Sequence, residues 1–358
     1  MAIASNTLQH QRSPDQGRAP DQRRSLTAAL RYHPVLQYSL LAVALLTLGV
    51  LPHLGMMRFS TMSIFAYTAI YTVVALGMNI LLGFSGLISL GTAGFIGAGA
   101  LGMGVFLQMG FPFEVAVVFV LAISGALGAL IGLFSLKVES IYLAIATLFI
   151  GEILRQIYTS VPIFGGEFIR IGAVRLLGVV ELNQILQVHR SILYGIVVVV
   201  LFLFMVLMHH LVKSRTGRAL MAMSRSSHAA QAMGVNLLKY RLIAFVTATL
   251  YATTGGILYA LYFQSAPTRA WTLNISLLII AMVVVGGFKS IVGTFLGAII
   301  IYGLPNLLLK DLLGDISYVF SGALIILVIL FYPRGFVYVG HDMIQAVRSL
   351  RMRRRRRA

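Results

Sequence analysis

FSTMSIFAYTAIYTVVALGMNILLGFSGLISLGTAGFIGAGALGMGVFLQMGFPF, from Phe59 to Phe113, runs for 55 residues without a charged side chain. Two membrane crossings of about 20 residues each fit in that length. Its second half, Gly83–Gly104, holds eight glycines in 22 residues. Glycine weakens a water-soluble helix by roughly 1 kcal/mol relative to alanine, so this density argues against an aqueous helix. In lipid the argument reverses, because small residues let helix backbones approach closely. Gly94, Ala98 and Gly102 then form a small-xxx-small face, with Gly91, Gly94 and Gly97 as an adjoining groove.

The rest of the chain reads the same way. Of 358 residues, 59% are hydrophobic and 11% charged, against about 25% charged in soluble domains. A β-barrel is excluded by pattern. Barrel strands alternate apolar and polar positions, whereas ILYGIVVVVLFLFMVLM (192–208) is apolar on every face. The fold class expected is an all-α polytopic membrane protein. Its apolar runs predict about ten transmembrane helices, at roughly 35–51, 59–82, 86–107, 114–136, 139–160, 190–211, 241–264, 270–288, 290–310 and 316–333.

Charge placement orients this threading. With both termini in the cytoplasm, 21 of the 28 Lys and Arg residues fall on the inner side, as the positive-inside tendency requires. The formal charge of +18 therefore marks topology and does not indicate nucleic-acid binding. Residues 1–33 read as a disordered basic cytoplasmic tail with no secretory cleavage site. Residues 34–340 form the transmembrane domain, and 341–358 an Arg-rich cytoplasmic tail. The closing RMRRRRRA (351–358) is either a topology anchor or a contact to anionic headgroups. Two connections are long enough to carry function: an outer loop, 161–189, and an inner loop, 212–240.

Enzyme signatures are missing. The sequence holds no HExxH, GxSxG or Walker GxxxxGK[ST] pattern and no cysteine. His209 and His210 sit at the inner end of the sixth crossing, where a helix C-terminus favours them. Within the spans, the clear ionisable pair is Glu152 with Arg155. At i, i+3 they share a helix face, either as an internal clamp or as part of a pathway. A single partnered acid makes ion coupling a poor fit. The segment TGRALMAMSRSSHAAQAMGVN predicts a short amphipathic helix pair outside the membrane, ended by Gly234.

This inner segment, with the Leu237–Ala248 stretch after it, resembles the coupling-loop region of branched-chain amino-acid ABC transporter permeases, the LivM-like branch. Their pattern runs close to GRALRAIRENEIAAEAMGIN. Further stretches agree in order: GFSGLISLGTAGFIGAGA, IYLAIATLFIGEILR, VVVGGFKSIVGTFLGAII and FYPRGF. The resemblance covers about residues 60–340. It implies a permease subunit of an ATP-driven importer in the cell inner membrane. It also implies a second permease subunit, two ATPase subunits carrying ATP and Mg, and a periplasmic substrate-binding protein. No cofactor is expected in this chain. Arg218, Ala229, Ala230 and Gly234 become the coupling residues. Gly83–Gly91 becomes a break at the inner surface, with Ser85, Ser89 and Thr92, together with Glu152, near the passage. The outer loop keeps Gly165 and Gly166 of the family pattern.

Departures concern the coupling helix and the first glycine motif. Arg225, Ser226, Ser227, His228 and Gln231 stand where the family often has acids. Leu87 and Ile88 replace polar positions. Substrate remains open between branched-chain amino acids and urea, amides or aromatic acids. An ion-coupled secondary transporter and a passive channel are the competing classes.

Overall fold

The computed structural model describes residues 34–50, 52, 59–134, 140–164, 166–171, 175–176, 180–181, 190–309 and 322. The chain divides into a unit of Met1–Gln37 and a unit of Tyr38–Ala358. Of the first, the described part is the opening turn of helix α1 (Pro34–Val50). Among its described residues the second is helical almost throughout: α2 (Phe59–Asn79), α3 (Thr92–Gln108), α4 (Phe113–Phe134) and α5 (Ser140–Ser160). Then come α6 (Arg190–Lys213), α7 (Arg215–Arg225), α8 (Ser227–Ala232), α9 (Leu237–Phe263), α10 (Leu273–Gly286) and α11 (Ile291–Ala298).

Nine of the ten expected segments coincide with helices among the described residues. The tenth, 316–333, lies outside them apart from Gly322, as do both tails. Among the described residues, four helical segments are long and apolar enough to cross a membrane alone: Ser60–Ser85, Phe113–Phe134, Arg190–Lys213 and Leu237–Phe263. Others differ from the ten-crossing expectation in length. The third starts at Thr92 instead of 86, leaving 17 residues or about 25 Å of helix at 1.5 Å per residue. Helix α10 has 14 residues, about 21 Å, short of the roughly 30 Å hydrocarbon layer. Helix α11 passes after Ala298 into π-helical turns, Ile299–Gly303 and Pro305–Leu309.

Helices α2 and α9 are the hub. Helix α9 packs on α2, α3 and α4, and α2 also meets α6, α10 and α11. Of the most apolar stretch of Ser60–Ser85, 83% is buried by protein, against 28% for α4. The outward side chains of α4 and α6 are large and apolar, among them Val118, Ile123, Phe134, Val199 and Leu203. Such faces are costly in water and ordinary against lipid.

At one end, β1 (Phe168–Arg170) pairs antiparallel with β4 (Ser265–Pro267), tying the outer loop to the α9–α10 connection. A second pair, β2 (Arg175–Leu176) with β3 (Val180–Glu181), lies within the outer loop.

Candidate functional site

The glycine-rich stretch holds a break between helices, as the family resemblance implied. Helix α2 widens into a π-helical turn, Ile80–Ser85, and stops at Gly86, whose φ of 70° is left-handed. Glycine adopts that conformation without the Cβ penalty. The Leu87 N–H then reaches back to the Leu81 carbonyl at 2.9 Å. Gly86 also sits close to α7: a Cβ there would lie 3.3 Å from Ser224 Cα. The chain stays non-helical until Thr92.

Helix α3 begins without a side-chain cap of its own. Helices leave their first N–H groups unpaired, and here neighbours satisfy them. Thr147 Oγ1 on α5 accepts from Leu90 N at 3.0 Å, and Ser276 Oγ on α10 accepts from Ala93 N at 2.9 Å. Close approach makes this possible. A Cβ on Gly91 would fall 2.3 Å from the Thr147 carbonyl oxygen, and one on Gly94 would fall 3.0 Å from Gly151 Cα. On another side Gly99 and Gly256 bring α3 against α9, where a Cβ would come within 2.1 Å of Thr253 O or 2.0 Å of Ile96 O. A Cβ on Gly102 would lie 3.2 Å from the Val120 side chain of α4, and Ala98 is half-buried beside the core.

Of the expected path residues, Ser85, Ser89 and Thr92 are buried. They do not share one cavity. Ser85 lines a cavity beneath α7 and α8, while Ser89 and Thr92 line a crevice with Met78, Phe95 and Thr249. Glu152 rims a third, of about 150 Å³, with Gly94, Gly151, Trp271 and Ser276. Its carboxylate accepts from the Arg155 guanidinium, Nε to Oε2 at 2.9 Å, and both side chains reach the outer surface of α5. Gly165 lies outside the described residues. Gly166, at φ 80°, accepts at its carbonyl from Thr268 Oγ1 at 2.6 Å, which fastens the outer loop.

Inner loop 212–240 folds as two helices separated by caps. Ser214 Oγ accepts from Gly217 N, Ser226 Oγ from Ala229 N and Asn236 Oδ1 from Lys239 N, at 3.4, 3.2 and 3.1 Å. Each such residue starts a new helix by satisfying an orphan N–H. Gly234, at φ 84°, ends α8 with open space around it. Gly217, Ala219, Leu220 and Met223 face inward. Arg218 is exposed and its Nη1 donates to the Lys213 carbonyl at 3.2 Å, closing the end of α6. Ala229 is exposed, but Ala230 is buried at 4%. Ala230 therefore packs against the bundle from the inner side of α8 and is not part of its exposed surface. His210 Nδ1 donates to the Val206 carbonyl at 2.8 Å, and His209 meets the Tyr38 hydroxyl at 3.3 Å.

Two residues escaped sequence reasoning. Asn79 is fully buried, and its Nδ2 donates to Thr294 Oγ1 at 2.8 Å and to the Ser290 carbonyl at 3.2 Å. Its Oδ1 accepts from Lys289 N at 3.1 Å, and Lys289 Nζ donates to Ser224 Oγ at 3.3 Å. A bonded chain thus runs from α7 through the α10–α11 turn to the end of α2. The signal was an amide side chain in a charge-free apolar run. The other is Met233, the most exposed large apolar residue described, at 86%.

Comparison with known proteins follows the same lines. The model of the family described as branched-chain amino acid transport system / permease component matches residues 60–329. The chain is 26% identical over 276 residues to the high-affinity branched-chain amino acid transport system permease protein LivM of Salmonella typhimurium. That stretch covers 71% of this chain and 64% of the relative. With the protein of the same name from Escherichia coli it is 27% identical over 277 residues, again 71% of this chain and 64% of the relative. The matched stretch therefore spans less than two thirds of these relatives' length. No solved structure matches the chain.

Proposed function

Because the chain belongs to the branched-chain amino acid transport permease family, we propose that it is the membrane-spanning subunit of an ATP-driven importer. It moves branched-chain amino acids, or a related small polar solute, into the cytoplasm by alternating access. The observation that carries this reading is the seat of the inner loop on the α2–α3 break. Helix α7 rests on the π-helical end of α2, with Ser224 against Gly86 and hydrogen-bonded to Lys289. A push on α7 and α8 from outside the membrane would act first on the least regular backbone in the bundle. Breaks and short helices of this kind are where packed elements switch between arrangements.

In this proposal two ATPase subunits, which bind ATP and Mg, dock on the exposed side of α7 and α8. Arg218, Ala229, Met233 and Gly234 present that side, at the cytoplasmic face of the inner membrane. A second permease subunit covers the α5 face, and a periplasmic binding protein delivers the solute and sets selectivity. Substrate passes beside α3 and α5, near the cavity rimmed by Glu152.

The test is reconstitution of this chain with its partner permease, the ATPases and the binding protein in proteoliposomes. Labelled leucine should accumulate only with internal-facing ATP and should persist when ionophores collapse ion gradients. Uptake that needs an ion gradient but no ATPase would establish a secondary transporter instead. Flux without nucleotide or gradient would establish a channel.

A further inference from the structure

The cavity between α3, α5 and the start of α10 joins an apolar interior to a charged mouth. It measures about 150 Å³, and Leu90, Ala93, Leu148, Trp271 and Leu273 supply apolar walls. Ala93 and Trp271 are buried, whereas Glu152 and Leu273 are exposed, so the space opens beside Glu152 on the α5 face. Among its hydroxyls, Ser276 Oγ is already held by the Ala93 N–H at 2.9 Å. An apolar cavity of about this volume stays dry and takes a guest of benzene's size. A branched aliphatic side chain suits that space, whereas a urea or amide would leave N–H groups facing carbon. At the mouth, the Arg155 guanidinium meets Glu152 through Nη2 and through Nε, at 3.0 Å from Oε1 and 2.9 Å from Oε2. No hydrogen bond among the described residues engages Nη1, which keeps its donors for a second carboxylate. Glu152 Oε2 accepts from Nε and keeps a second lone pair for an N–H donor.

We propose that this cavity is the subsite at which the chain holds its solute, an α-amino acid with a branched aliphatic side chain. The side chain fills the cavity, the ammonium rests on Glu152 and the carboxylate on Arg155. An α-amino acid carries these three groups on one carbon, and the ion pair offers the opposite charge to each of its ends. The pair therefore reads the zwitterion while the cavity reads the side chain. This rests on the transport reading and narrows it, because a solute lacking either charge or the apolar group leaves part of the site unmatched.

The chain has no cysteine, so a thiol placed in the cavity is its single point of labelling. Leu148→Cys, half-buried in the wall, is purified in detergent with the subunits that accompany the chain and reacted with a methanethiosulfonate reagent. Thr272→Cys, also in the lining, serves if that variant does not fold. Leucine should slow the reaction saturably, and should leave Met109→Cys, exposed beyond the end of α3, unaffected. The amine 3-methylbutylamine and the acid 4-methylpentanoate, each lacking one charge, should need at least about tenfold higher concentrations. Arg155→Gln should weaken protection by leucine to the level of the amine. Absence of protection by leucine overturns the proposal, as does equal protection by the singly charged analogues, which would mark a site for any apolar guest such as a lipid tail. Uptake by the same preparation in proteoliposomes keeps the two readings apart. ATP-driven leucine uptake without protection removes the subsite alone, and protection without ATP-driven uptake keeps the subsite and removes the ATP-driven importer.

Discussion

At Gly256 the helix backbones come so close that a single methyl group decides the packing. A Cβ there would lie 2.0 Å from the Ile96 carbonyl oxygen and 2.8 Å from Ala100 N. Both are backbone atoms, which cannot rotate away. Gly125 offers a contrast, since its added Cβ would make ordinary contact with Leu250 at 3.5 Å. Overpacking typically costs about 1–3 kcal/mol. Gly256→Ala should lower the unfolding midpoint in detergent clearly, while Gly125→Ala should leave it within error. Equal midpoints for both would remove the close-packing account of α3 and α9. Asn79 makes a different demand. Asn79→Leu strands the Lys289 N–H, while the Ser290 carbonyl keeps its bond from the Thr294 hydroxyl, and an orphaned buried group costs about 1–3 kcal/mol. Loss of stability together with loss of transport is expected, and an unchanged midpoint would show that this network is dispensable.

The elements explain why the inner loop is more than a tether. Three capped starts, at Ser214, Ser226 and Asn236, divide it into rigid pieces, and the inward side chains of α7 lock it to the bundle. Its outward side carries Met233, whose side chain is 86% exposed among the described residues. Met233→Glu should therefore leave thermal stability unchanged while reducing co-purification of the ATPase subunits several-fold. Retained co-purification would place their docking surface elsewhere. Deleting Ala229–Gly234 should go further, separating ATP hydrolysis from uptake in the reconstituted assembly. Wild-type uptake in that deletion would sink the coupling role of α8. Short α3 and α10 belong to the same account. Their ends meet non-helical backbone inside protein, where neighbours such as Thr147 and Ser276 supply the missing hydrogen-bond partners.

For the molecule as a whole, the exposed face of α5 is the least settled surface. It carries Phe149, Ile153 and Ile157 beside the Glu152–Arg155 pair. An ion pair facing lipid is expensive, and in the proposed assembly the second permease subunit would cover it. Glu152→Leu should harm assembly with the second permease more than Glu152→Leu/Arg155→Leu does, because the single change leaves an unpaired cation. Restored assembly without restored transport in the double variant would assign the pair to the pathway, and restoration of both would assign it to packing. Equal defects in the two variants would show that the pair is not coupled.

Much of this was legible in the residues themselves. The charge-free run from Phe59 to Phe113, the placement of basic residues and the ordered motifs from Gly83 to Ile300 establish a helical membrane permease. They do so because lipid selects composition over whole segments. Hydropathy cannot say which side of an apolar helix meets lipid and which meets protein, since both are equally apolar. Only the folded chain therefore separated Gly91 and Gly94, pressed on α5, from Gly99, pressed on α9. It alone turned Ala230 inward, shortened α3 and α10, distributed Ser85, Ser89 and Glu152 over three cavities, and joined Asn79 to Lys289 and Ser224. Those are contacts between residues up to 210 positions apart, and a linear pattern carries no record of which distant backbone will come within reach.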